Sequence, residues 1–326
     1  MPPLRDPTAV FFYADSLRGK SLASPSLSGN LHLMTVREIF TLTICLFLVS
    51  CSTNKPTPGI QGANPNPTPF VFSPETPQAD PPPTNGPIVQ AESAIVLDAT
   101  SGRILYQKNA RTERAVASTQ KLLTALVVSR SGPLSDPVTV TTSDTQVEPS
   151  KLYVKAGETY ARKTLVKALL VRSSNDIAKA LARDVAGTET NFCKRMNEMA
   201  RAVGMHQSHF KNPHGLTEPG QYSTALDIAL LGRQVMKNPF FRECMRIKNY
   251  TFTYPDGRTK VLKNTNKLLT RLPYCTGMKT GTTNASGRCL ISAGTHKGRS
   301  VIAVALGSTS AEIWNDSEKL LRWALE

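Results

Sequence analysis

Three short clusters in this chain carry groups suited to acyl transfer. Ser118-Thr119-Gln120-Lys121 opens an apolar helix predicted over Ser118 to Ser129. Residues three apart lie on one helix face, so the Lys121 amine reaches the Ser118 hydroxyl. A serine hydroxyl is a weak nucleophile until a base takes its proton. A lysine is such a base only where burial or a nearby cation lowers its pKa. The helix N-terminus also favours the negative charge that develops at the serine. Ser173-Ser174-Asn175 falls between two predicted helices. There a hydroxyl can relay protons and an amide can hold a substrate carbonyl. The plainer reading of that cluster is a helix cap, with Ser174 or Asn175 ahead of Asp176. Lys279-Thr280-Gly281 reads as a strand end before the polar hairpin Thr282-Thr283-Asn284-Ala285-Ser286. A strand edge pairs with an extended peptide, and an ammonium with a hydroxyl can hold its carboxylate. Glycine leaves room for close backbone approach. Lys279 near Lys121 would also depress the pKa of one of the two.

Spacing alone does not single out Ser118. Ser-x-x-Lys recurs at Ser52–Lys55 and Ser208–Lys211, but the first lies in a Pro-rich segment and the second in a loop before Pro213. Neither opens an apolar helix. Lys-Thr-Gly occurs once in the chain. The three clusters, in this order, occur together in β-lactamases and penicillin-binding proteins.

At these residues the chain resembles the low-molecular-mass penicillin-binding proteins, the serine-type D-alanyl-D-alanine carboxypeptidases. The resemblance runs from about Val89 to Glu326 and takes in Gly157-Glu158, Asn212-Pro213-His214-Gly215-Leu216, Gln221-Tyr222-Ser223 and Asn264-Thr265-Asn266-Lys267-Leu268-Leu269. It implies an α/β (α+β) fold of the β-lactamase/transpeptidase kind, an antiparallel sheet flanked by helices plus an all-helical lobe. It implies Ser118 as nucleophile, Lys121 as base, Ser173 and Asn175 in the cleft, and Lys279, Thr280, Gly281 and Thr282 along its far wall. Backbone N–H groups of Ser118 and Thr282 would form the oxyanion hole. His214 falls in a loop near the site. The implied substrate is the peptidoglycan stem peptide, with β-lactam antibiotics as inhibitors and no cofactor. Many relatives have glycine where Ser174 stands, which leaves the geometry of that connection open. A D,D-endopeptidase that cuts cross-links would use the same residues, and a non-catalytic murein-binding protein would keep the cleft without the chemistry. A β-lactamase is the other alternative. Class A enzymes of that kind carry a glutamate with asparagine four positions on, a spacing that no glutamate here has.

The elements that position these clusters are legible in outline. Ala94 to Leu97 and Ile104 to Tyr106 read as a strand pair about the turn Thr100-Ser101-Gly102. Residues 164–172, 176–186, 189–203 and 223–237 have helical periodicity. Met205 to Gln221 is a loop broken by Asn212-Pro213 and Pro219-Gly220. Asp256-Gly257 between Tyr250–Tyr254 and Thr259–Lys263 marks a hairpin. Two or three apolar strands follow between Met278 and Leu306, then an amphipathic helix from Ala311 to Leu325. Strands at both ends with helices between predict a sheet whose first and last strands meet.

Ahead of this domain, at 89–326, the chain has the marks of export. Met34 and Arg37 precede an apolar stretch from Ile39 to Val49, too short for a finished membrane span but suited to a signal peptide over 34–50. Leu48-Val49-Ser50-Cys51 is similar to a lipobox, with Cys51 as the lipidated residue and the membrane as partner. That lipid would replace the C-terminal amphipathic anchor many relatives carry. Residues 1–33 read as a miscalled extension upstream of the true start. Residues 51–88 are rich in Pro, Thr, Asn and Gln, a linker too polar to fold and with a reach on the order of 100 Å. Cys193, Cys244, Cys275 and Cys289 could pair in any of three connectivities or remain buried thiols. The net charge of +15 suits an anionic neighbour such as membrane phosphate or wall polymer. Its lysines and arginines are scattered, which argues against nucleic acid. No metal site is expected, since His206, His209, His214 and His296 form no His-Glu-x-x-His pattern.

Overall fold

The computed structural model describes residues 86–326. The expected signal peptide, lipobox cysteine and most of the linker lie outside them. β1 (Ser93–Asp98) and β2 (Ile104–Lys108) form the opening pair. A single 3₁₀ turn (Ala117–Gln120) then runs into α1 (Lys121–Arg130). β3 (Pro137–Thr139), α2 (Thr142–Thr145) and β4 (Thr159–Ala161) lead to α3 (Arg162–Arg172), α4 (Asn175–Ala186) and α5 (Glu189–Ala202). After a long loop come α6 (Ala225–Met236), α7 (Pro239–Arg246), the hairpin β5 (Asn249–Thr253) and β6 (Thr259–Lys263), and the short α8 (Leu268–Arg271). β7 (Cys275–Thr283), β8 (Gly287–His296), β9 (Arg299–Ser308) and α9 (Ile313–Leu325) finish the chain.

The main sheet runs β2-β1-β9-β8-β7, antiparallel throughout, so the first and last strands meet as expected. Its strands are apolar on both faces because both are covered. In β1, Ile95 and Leu97 point into one core while Ala94 and Val96 point into a second. In β9, Ile302 and Val304 join the first core, and Val301, Ala303 and Ala305 the second. The period of two thus sorts one continuous apolar run between two layers. The first core lies beneath the helical layer, with α6 packed on the sheet. The second is closed by Ile313, Leu320, Leu321 and Leu325 of α9.

α1 sits at the centre of the helical layer. Every residue from Lys121 to Val128 is buried, so the helix has no polar face. Leucines at such positions are worth about 2–5 kcal/mol each against alanine, which keeps the element carrying Lys121 rigid. α9 is tied to the start of the fold by Asp316. Its carboxylate accepts from Gln90 N and Ala91 N, both at 2.8 Å, and from Ser308 Oγ at 2.7 Å. Among the described residues all four cysteines are free and buried, and no helix is long and apolar enough to cross a membrane.

Candidate active site

Ser118 and Lys121 meet across the 3₁₀ turn that runs into α1. In the 3₁₀ turn, residues three apart are nearly eclipsed, and Lys121 Nζ donates to Ser118 Oγ at 2.8 Å. The chain enters this turn through Ala117 at φ 48°, a left-handed position that costs a non-glycine residue stability. Two neighbours over-determine it. A Cβ on Gly215 would fall 2.2 Å from Ala117 O, and one on Gly281 would fall 2.8 Å from Ser118 N. Both glycines let main chain approach main chain at the serine.

Lys121 Nζ lies against three oxygens: Ser118 Oγ, Asn175 Oδ1 at 2.7 Å and His214 O at 2.5 Å. The ammonium is held well below its ordinary pKa, first by complete burial and then by the charge of Lys279, while Asp176 acts in the opposite sense. Asn175 reaches it through a break between two helices. Ser173 ends α3 in a left-handed conformation (φ 70°) and Ser174 turns extended before α4. Neither Ser174 nor Asn175 makes a side-chain cap bond. The Asn175 amide instead donates to Glu148 O and Pro149 O, at 2.9 and 3.0 Å. Asp176 anchors the same segment by accepting from Leu152 N and Tyr153 N. The hydroxyl of Ser174 has no partner among the described residues; we have no physical account of it.

His214 contributes its carbonyl rather than its ring. The imidazole is buried, its Nδ1 accepts from Leu216 N at 3.3 Å, and burial with the nearby Lys121 charge pushes it down to about 3. The loop is clamped onto α1. Gln120 Nε2 donates to Asn212 O at 2.6 Å and Thr124 Oγ1 to Pro213 O at 2.6 Å. Asn212 Oδ1 accepts from Gly215 N at 2.7 Å. These clamps aim the carbonyl at Lys121.

The far wall is β7, the terminal strand of the sheet. Lys279 is 1 % exposed, donates to Thr280 O at 2.9 Å and is pushed down to about 7 by burial. Thr280 Oγ1 donates to Thr265 Oγ1 at 2.7 Å and Thr282 Oγ1 to Gly281 O at 2.7 Å. Between the walls opens a cleft of about 580 Å³, lined among others by Ser118, Ser173, Asn175, Thr280, Gly281 and Thr282. Lys121, His214 and Lys279 stand behind its surface. Sequence reasoning assigned no part in the site to Thr265, Asn212 or Asp176. Arg288 sits across the hairpin from Thr282.

A hydroxyl, a buried amine and a strand edge thus meet in one cleft, an arrangement able to carry out acyl transfer. The family model described as D-alanyl-D-alanine carboxypeptidase matches residues 78–310, and the chain belongs to that family. It is 34% identical over 269 residues to the D-alanyl-D-alanine carboxypeptidase DacC of Escherichia coli (strain K12), covering 78% of this chain and 66% of the relative. To DacF of Bacillus subtilis (strain 168) it is 31% identical over 232 residues, covering 68% and 58%. The chain therefore spans less than two thirds of the length of these relatives. Among solved structures, a D-alanyl-D-alanine carboxypeptidase from Mycobacterium tuberculosis H37Rv is similar at a TM-score of 0.71 and 30% identity, covering 75% of this chain and 95% of that one. The Streptomyces K15 DD-transpeptidase gives 0.70 and 29%, covering 74% and 99%.

Proposed function

We propose that this chain is a serine-type D-Ala-D-Ala carboxypeptidase that removes the terminal D-alanine from peptidoglycan stem peptides through an acyl-enzyme at Ser118. The observation that carries the reading is the environment of Lys121 Nζ. A neutral amine has two N–H groups and one lone pair. Two of its neighbours, Asn175 Oδ1 and His214 O, can only accept, and the third, Ser118 Oγ, can donate. The amine therefore fits as a base whose lone pair faces the serine proton.

In the proposed reaction Lys121 takes that proton as Ser118 Oγ attacks the carbonyl of the penultimate residue. The oxyanion is held by the N–H groups of Ser118 and Thr282. The C–N bond breaks, the proton passes to the leaving D-alanine amine, and an ester remains on Ser118. Water, deprotonated by Lys121, then releases the shortened peptide. Ser173 and Asn175 line the path of the proton and the substrate carbonyl, while Lys279, Thr280 and Gly281 set the edge along which the peptide lies. β-Lactams enter the same reaction and remain as esters on Ser118, because among the described residues no carboxylate lines the cleft to activate water against a bulky acyl group. The domain of residues 89–326 is proposed to work outside the cytoplasm, tethered by residues 51–88 to a lipid on Cys51 after removal of a signal peptide at 34–50.

Product analysis on defined muropeptides tests the reading. Pentapeptide monomers should lose one D-alanine while cross-linked dimers stay intact. Cleavage of dimers in preference to monomers would make the enzyme an endopeptidase.

A further inference from the structure

Outside the cleft, one exposed side chain is held more firmly than a surface residue needs. Tyr153 is 66% exposed, and it stands at φ 63°, a left-handed position that a bulky non-glycine residue seldom adopts. The framework of the site imposes that conformation. Asp176, next to Asn175, accepts from Leu152 N at 2.9 Å and from Tyr153 N at 2.8 Å. Tyr254 Oη donates to Leu152 O at 3.0 Å. Ser150 O accepts from Asn175 N at 2.7 Å, and Pro149 and Ser150 line the cleft. Tyr153 is thus tied beside the cleft, separated from its wall by about 10 Å of chain at most.

The ring has cationic neighbours. Lys151 Nζ lies 5.8 Å from its centroid, and Lys260 Nζ, from β6, lies 5.9 Å away. Both stand at the outer limit of a cation–π contact, so they border the ring without sealing it. Lys151 Nζ also donates to Thr145 O at 3.3 Å. Among the described residues no carboxylate pairs with either lysine. A stable protein partner would cover about 800 Å² of surface around an apolar centre. The other large apolar side chains exposed among the described residues are only Ile88 and Val261. A single ring between two ammoniums suits a sugar instead. The C–H face of a hexose packs on the ring, and the ammoniums meet its acetamido oxygens and the carboxylates of an anionic glycan.

We propose that Tyr153, with Lys151 and Lys260, docks a glycan strand of peptidoglycan beside the cleft, so that stem peptides reach Ser118 from a strand held next to it. The inference rests on the peptidoglycan reading and goes beyond it, adding a site for the polymer outside the cleft that takes the peptide. Holding the strand raises the local concentration of its peptides at the cleft.

The test measures binding to immobilised glycan strands stripped of their peptides by an amidase, which requires no turnover. Tyr153→Asn removes the ring and tolerates the left-handed backbone, while Tyr153→Phe keeps the ring. Tyr153→Asn should weaken binding about 5- to 10-fold, the scale of one aromatic contact, and Tyr153→Phe should bind like wild type. Lys151→Gln combined with Lys260→Gln should weaken binding at low salt and make little difference at high salt. On a sugar-free acylated tripeptide ending in D-Ala-D-Ala, kcat/KM should be unchanged in every variant, because the ring touches no reacting atom. On pentapeptides still attached to glycan strands it should fall in step with binding. Absence of binding by wild type, or equal binding by wild type and Tyr153→Asn, overturns the proposal. So does a loss seen only on free stem peptides or only on phosphatidylglycerol vesicles. A wild type that binds the strands through Tyr153 yet releases no D-alanine would instead sink the carboxypeptidase reading and leave the docking site standing.

Discussion

Lys121 and Lys279 are both fully buried and, among the described residues, no carboxylate bonds to either, an arrangement that stability alone would not favour. For Lys279 the cost has a definite sign. Its pKa is near 7 in the fold and about 10.4 in an unfolded chain. The group must therefore shed a proton on folding anywhere between those values. The penalty is full below pH 7 and disappears as pH rises past the unfolded value, on the order of a few kcal/mol in all. Lys279→Met should melt several degrees above wild type at pH 6, and the gap should close as pH is raised toward 10. A gap equal at pH 6 and pH 9 would show that the buried ammonium is not its source. For Lys121 the expectation concerns rate. Lys121→Ala should slow acylation by benzylpenicillin by at least about 10³-fold, and Ser118→Ala should abolish the covalent adduct. Intact mass spectrometry reads both, and in wild type the adduct should persist on the peptide containing Ser118. Near-normal acylation in Lys121→Ala would reassign the base.

The elements matter to the site through main-chain atoms. The loop that delivers His214 O to Lys121 passes Ala117 so closely that Gly215, at φ +87°, has no room for a Cβ. Gly215→Ala should push the loop off α1, lowering kcat by an order of magnitude or more while costing about 1–3 kcal/mol of stability. Paired kinetics and thermal melts check it, and an unaltered kcat would mean that the carbonyl does not orient the amine. Such contacts bear on what could be read from sequence. Alternation and turn chemistry located the strand pair, the Asp256-Gly257 hairpin and the final antiparallel strands, because side-chain pattern is what burial on a sheet demands. The carbonyl of His214 left no such trace, and the histidine drew attention to its ring instead. The 3₁₀ start of the first helix is indistinguishable from α in sequence, since both place residues three apart on one side. α7 escaped despite Asn238 as its N-cap and Pro239 at its first position, because it is too short to show a period. β3 and β4 pair through three residues each across a long excursion, below what alternation can register.

At the scale of the molecule, the proposed anchor and the folded domain make separate demands. Fatty-acid labelling in cells should mark wild type and not Cys51→Ala; equal labelling of the two would remove the lipid from the scheme. The net charge of +15 would hold the tethered domain near anionic wall and membrane surfaces, an attraction that salt weakens. The domain closes on itself through Asp316, which gathers Gln90, Ala91 and Ser308, and through β1, whose Ser93 lies opposite Leu306 of β9. That pairing sets a timetable. Until β9 is available, β1 has only β2 beside it, and a lone hairpin is marginal in water. Closing so long a loop is entropically costly and slow, as in any fold dominated by distant contacts. A nascent chain missing its last strand and helix therefore has no finished sheet to collapse onto. Such a chain would stay threadable through a translocation channel until synthesis is nearly complete, as the proposed export route requires.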